Sequence, residues 1–176
     1  MKTKAFAVRN LKEMLRDKLN IIFGIGFPIV LLLLLTLIQS NIPVSMFEIA
    51  HLTPGIAVFG LSFVALFSGI LIAKDRSSSF MSRLLTSPLK ASVYIFGYTL
   101  PLIPLCIAQT AVCYIVAFFL GLEVTASVLV AVLVTLPADI IFIAIGLLCG
   151  TLLNDKQVGG ICGALLTNLT AWLSGT

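Results

Sequence analysis

Charge is scarce in this sequence of 176 residues: Asp, Glu, Lys and Arg make up 10% of it, while 60% is hydrophobic. A soluble domain carries about a quarter charged residues. At this length its surface is also too large for its volume to hide so much apolar side chain. A water-soluble globule is therefore excluded. Histidine is nearly absent. The one present, His51, has Glu48 three residues before it, and one imidazole with one carboxylate is too small a ligand set for a metal site. The sequence contains no GxxxxGK[ST] phosphate loop, no HExxH, no GxSxG and no GxGxxG, which removes the common signatures of nucleotide binding and hydrolysis. The expectation is a chain that is not an enzyme and takes no cofactor.

CxxC spacing is missing as well. Cys106, Cys113, Cys149 and Cys162 all lie inside apolar runs, where thiols serve as small packing residues rather than as disulfides or metal ligands. The net charge of +4 does not point to nucleic acid. The basic residues sit in short patches with no aromatic residues interleaved to stack on bases.

What the sequence does have is long apolar runs. About 20 residues of helix cross the hydrocarbon of a bilayer, and such runs lie at residues 21–38, 53–73, 93–120, 127–153 and 158–174. The fold class expected is all-α: a polytopic helical membrane protein with about five spanning helices, forming a single transmembrane domain over 1–176. Residues 1–19 precede the first span. There Phe6, Leu11, Leu15 and Leu19 recur near helical spacing while Lys4, Arg9, Lys12 and Arg16 take other faces, the pattern of an amphipathic helix lying on an anionic membrane surface. A cleaved signal peptide is the wrong reading, since the apolar run is too long and further spans follow.

The cations are all on one side. Of the eleven Lys and Arg, six precede the first span, four lie in residues 74–90 and one is Lys156; the alternate loops hold none. By the positive-inside rule the amino terminus, the 74–90 loop and the 154–157 turn face the cytoplasm, which makes this a multi-pass protein of the cytoplasmic (plasma) membrane. The last apolar run stops at Trp172-Leu173-Ser174-Gly175-Thr176 without a polar flank, and a truncated chain is the expectation.

Within the spans, Asp139 is the residue most expensive to place, costing about 2.5–3.5 kcal/mol at a helix centre. It lies beside Pro137, whose missing N–H frees a backbone carbonyl. It reads either as a polar point on a substrate pathway or as a hydrogen-bonded structural aspartate, and Gln109 is a weaker candidate of the same kind. Gly146 with Gly150, and Gly159 with Gly163, form GxxxG pairs that allow close helix approach. Spacing does not separate packing within the chain from a dimer seam.

The longest polar segment, 74–92, reads as a cytoplasmic loop. Ser77 to Ser79 are suited to cap a helix start, and Phe80, Met81, Leu84 and Leu85 then give an apolar face with Arg83 on its flank, ended by Pro88. A helix this short needs a partner to be stable, so a docking surface for a soluble subunit is expected.

At this loop the sequence resembles the permease subunits of ATP-binding-cassette transporters of the export (type-2) class. The resemblance rests on Asp75, Arg76, Ser79, Arg83, Leu84, Leu85, Ser87, Pro88 and Leu89, on the run YIFGYTLPLIPL after it, and on the order of spans. Ser79-Phe80 replaces the Gly-Thr common in the family, and Ser82 replaces a Glu. The resemblance implies a non-catalytic permease subunit of an exporter that pairs with itself or a homologue. It implies a separate cytoplasmic ATP-binding subunit docked on a coupling helix, with Arg76, Phe80, Arg83, Leu84, Leu85 and Pro88 as the contact residues. It also implies six spans, of which the last is missing here. The rival reading is a gradient-driven secondary transporter or channel, which would show several intramembrane charges or an inverted repeat.

Overall fold

The computed structural model describes residues 2–41, 48–78, 86, 90–123 and 125–173. Every regular element among them is helical. The order is α1 (Lys2–Arg16), α2 (Lys18–Ile21), a π-helical turn (Ile22–Gly26), α3 (Phe27–Asn41), α4 (Ile49–Ser77), α5 (Ala91–Phe119), α6 (Ala126–Leu152), α7 (Asp155–Gly160), a second π-helical turn (Ile161–Leu166) and α8 (Thr167–Leu173). Four helical stretches are long and apolar enough to cross a membrane: Ile22–Ser40, α4, α5 and α6. The fifth apolar run is helical too, from Asp155 to Leu173, but Lys156, Gln157 and Asn168 dilute it and it is not among those four. In hydrocarbon every backbone N–H and C=O must find a partner inside the protein, and a helix supplies that without leaving its own segment.

α4 is the hub. It is the most enclosed of the four long helices, whereas Ile22–Ser40 and α6 are mostly exposed; their outward Leu, Val and Ile side chains are of the kind that meets acyl chains. α3 packs on one side of α4, with Phe27 set edge-on to Phe63 at 5.2 Å and Leu32 enclosed among Leu52, Ile56 and Ala117. α5 packs on another, where Leu102 and Cys106 meet Leu61 and Val64. α6 makes the most intimate contact. Gly146 stands against Ala65 and Ser68, and Gly150 against Gly69; a Cβ at either position would collide with those atoms. Contact rises in step along both helices, so α4 and α6 run parallel at backbone-to-backbone distance. The remaining pair behaves differently: Gly159 faces open space and Gly163 meets only the side chain of Leu66.

Several boundaries differ from those read in the sequence, because helical hydrogen bonding continues through polar ends. α4 runs on through Ser77, so Lys74, Asp75 and Arg76 occupy its last turn rather than opening a loop. Ser77 and Ser78 end this helix instead of starting the next one: Ser78 N and Oγ both donate to the Asp75 carbonyl and Ser77 Oγ donates to that of Lys74. The expected turn at 154–157 is mostly the first turn of α7, held by a capping box between Asn154 and Gln157. α5 closes at Gly121, whose φ of 103° suits a residue without Cβ; Leu122 N reaches back to the Ala117 carbonyl at 3.0 Å.

Candidate functional site

The densest polar network among the described residues lies at the end of α4, at the root of the 79–89 segment. Asp75 is buried there. Taking a carboxylate out of water costs several kcal/mol unless it is paired and hydrogen-bonded, and three donors meet this one. Arg9 Nη1 and Nη2 of α1 approach its two oxygens at 2.6 and 3.0 Å, and Tyr98 Oη of α5 donates at 2.6 Å. Arg9 also pairs with Glu13, one turn on, at 2.8 Å. The hydrogen bond to Asp75 raises the Arg9 guanidinium above its ordinary pKa, so the guanidinium keeps its charge at every physiological pH.

Beside it, Asn10 is completely buried. Pro101 has no N–H, so the carbonyl four residues earlier, on Gly97, has no partner in the α5 ladder. Asn10 Nδ2 donates to that carbonyl at 3.0 Å, and Asn10 Oδ1 accepts from Arg9 Nη1 at 2.9 Å. Gly97 also lacks the Cβ that would strike the ring of Phe6, which sits edge-on to Tyr98 at 5.0 Å. α1 therefore turns Phe6, Arg9 and Asn10 towards the bundle, and Leu15 is well exposed. Phe6 belongs to the apolar face read in the sequence, whereas Arg9, read there on another face, also turns inward, because a buried carboxylate attracts a donor that leucine lacks.

The next residue reaches the other way. Arg76 Nη1 donates to the carbonyls of Gly150 at 3.1 Å, Leu153 at 3.3 Å and Thr151. These are the last carbonyls of α6, which have no partner within their helix, and a cation there also complements the negative end of the helix dipole. Asp75 and Arg76 thus tie one turn of α4 to α1, α5 and α6 at once. A cavity of about 430 Å³ opens beside Arg76, walled by Ser77, Asn154 and Lys156.

Of the expected contact residues, Arg76 belongs to this network. Phe80, Arg83, Leu84, Leu85 and Pro88, and the short helix expected there, lie outside the described residues. Asp139 and Gln109 are buried inside the bundle of the one chain, on faces of α6 and α5. The sequence places Arg9 only among the cations of the first helix and gives Asn10 and Tyr98 no role; the signal available for Asn10 is Pro101 placed four residues after a glycine. At the opposite end of the bundle a cavity of about 780 Å³ is lined by Glu48, His51 and Glu123.

No curated protein and no solved structure matches the chain. Compared with known families, residues 1–176 match the ABC-2 type transporter family. The apolar helices are those of its membrane domain, and such a domain is a permease without catalytic residues of its own. The chain, with its α4 end clamped to three neighbouring helices, belongs to the ABC-2 type transporter family.

Proposed function

We propose that the chain is the membrane-spanning permease subunit of an exporter, driven by ATP hydrolysed in a separate subunit. The amino terminus and the 79–89 segment lie in the cytoplasm, on the side that holds all eleven Lys and Arg. The ATPase docks on that segment through Phe80, Arg83, Leu84, Leu85 and Pro88. A second permease copy or homologue completes the path, and 1–176 acts as a single transmembrane domain.

The observation that carries this reading is the Asp75–Arg76 clamp. A docking loop transmits force only if its root is stiff, and here the root is bonded to three other helices. Movement imposed on the loop passes through Arg76 to α6 and through Asp75 to α1 and α5, so the bundle end moves as one body.

Purifying the tagged protein from its own membranes in mild detergent tests the partner directly. A stoichiometric ATPase is expected, lost when residues 79–89 are replaced. The double variant Arg83→Glu with Leu84→Ala should insert normally yet fail to couple hydrolysis to transport. Full transport by that variant would sink the docking role.

A further inference from the structure

Midway along the bundle three buried side-chain oxygens have no protein hydrogen-bond partner among the described residues: Gln109 Oε1, Thr110 Oγ1 and Asp139 Oδ1. Their residues are 1%, 5% and 4% exposed. They share one level. Gln109 Nε2 donates to the Ala57 carbonyl of α4 at 3.3 Å. The register set by Gly146 on Ala65 and Gly150 on Gly69 runs α6 parallel to α4, so Asp139, seven residues before Gly146, falls at about the level of the residues seven before Ala65. Thr110 adjoins Gln109 on α5, and Cys106, one turn away, packs in one cluster with Ala138 and Ile143, which flank Asp139 on α6. The α4 surface between them is small, being Ala57 and Gly60; a Cβ on Gly60 would strike Gln109.

Unpartnered buried polar groups are rare in folded proteins because each one costs stability, and lipid offers no alternative partner. Three at one level, all of them oxygens, call for a hydrogen-bonding guest. None of the chain's cations lies in this part of α4, α5 or α6, so no internal ion pair supplies it. Both helices that carry these groups are weakened nearby: Pro101 and Pro104 interrupt the ladder of α5, and Pro137 that of α6. Prolines are where helices bend.

We propose that Asp139, Gln109 and Thr110 form an intramembrane hydration site, which takes up water when α5 and α6 bend apart during the transport cycle. In the closed bundle none of the three oxygens has a protein partner, which biases the α5–α6 contact towards opening. The site lies inside one chain and is distinct from a path between two copies. The proposal rests on the transport reading for its cycle, and two measurements keep the failures of the two ideas apart.

The first uses a native reporter. With Cys113, Cys149 and Cys162 changed to alanine, Cys106 is the one remaining thiol, and it is fully buried. In the reconstituted complex with its ATPase, a charged, water-borne thiosulfonate should label Cys106 several-fold faster during ATP turnover than at rest, and Asp139→Leu should abolish the difference. Equal labelling in both states while hydrolysis proceeds would overturn the hydration site and leave the permease reading standing. The second needs no partner. Thr110→Val and Asp139→Leu remove an unsatisfied oxygen, so each should unfold at the same or a higher temperature than the parent in the same detergent. A clear fall for both would mean that the oxygens are satisfied in the resting fold, and the proposal would be wrong.

Discussion

Asn10 of α1 donates its side-chain amide to the carbonyl of Gly97, the one that Pro101 leaves without a partner in α5. A defect in one helix is thus the docking point of another. The cost of an unpaired carbonyl inside a bundle, about 1–3 kcal/mol, becomes the specificity with which α1 finds its place.

This relationship can be read out by a double-mutant cycle. Asn10→Leu alone should lower stability by about 1–3 kcal/mol. Pro101→Ala restores a backbone N–H to α5, so in that background the same Asn10→Leu change should cost much less. Thermal unfolding of the four proteins in one detergent gives the coupling. Equal costs in both backgrounds would show that Asn10 does not act through Gly97.

The Arg9–Asp75 pair makes a second prediction. Asp75→Asn leaves Arg9 with Glu13 as a carboxylate partner and weakens the charge-assisted bonds from Arg9 and Tyr98, at about 1.5–3 kcal/mol. Arg9→Ala should cost a similar amount, because it leaves Asp75 buried with Tyr98 as its remaining long-range donor among those described. The double variant should cost far less than the two together. Additive losses would mean that the residues do not share one interaction.

The four packing glycines should divide into two classes. Gly146→Ala and Gly150→Ala force a methyl group into the backbone of α4, and overpacking at an immovable contact costs about 1–3 kcal/mol. Gly159→Ala meets nothing within 4 Å and should be neutral or stabilise by about 0.5–1 kcal/mol, since glycine is a poor helix former. Parallel melting curves decide it; a Gly159→Ala protein that melts as low as Gly146→Ala would point to a seam on that face.

Arg76 should be irreplaceable by lysine. An ammonium is a point donor without the planar fork of arginine, and it cannot cover three carbonyls spread over the end of α6. Hydrogen exchange should therefore quicken at residues 148–154 in Arg76→Lys, and transport should fall with it. Unchanged exchange would remove Arg76 as the link to α6.

Much of the architecture was legible because the bilayer imposes it. Apolar runs of spanning length gave the long helices to within a few residues, and the resemblance carried by Asp75, Arg76 and the residues after them led to the family that the whole chain matches. Ends were read less well. Lys74, Asp75 and Arg76 look like loop residues in a string of letters, yet they are the last turn of α4, because charges at the basic end of a helix are accommodated once neighbours supply partners.

Composition and the order of charges were enough to determine that this chain crosses a membrane as helices, since solvation by lipid acts on each segment by itself. Only the tertiary structure decided which residues hold the segments together. Asn10 on Gly97, Arg9 on Asp75, Arg76 on the end of α6 and Gly146 on Ala65 are meetings of residues 66 to 87 positions apart in the first three kinds of contact and similarly remote in the fourth. Hydrogen bonds and close backbone contacts depend on where two segments meet in space, and periodicity within one segment carries no information about its partner.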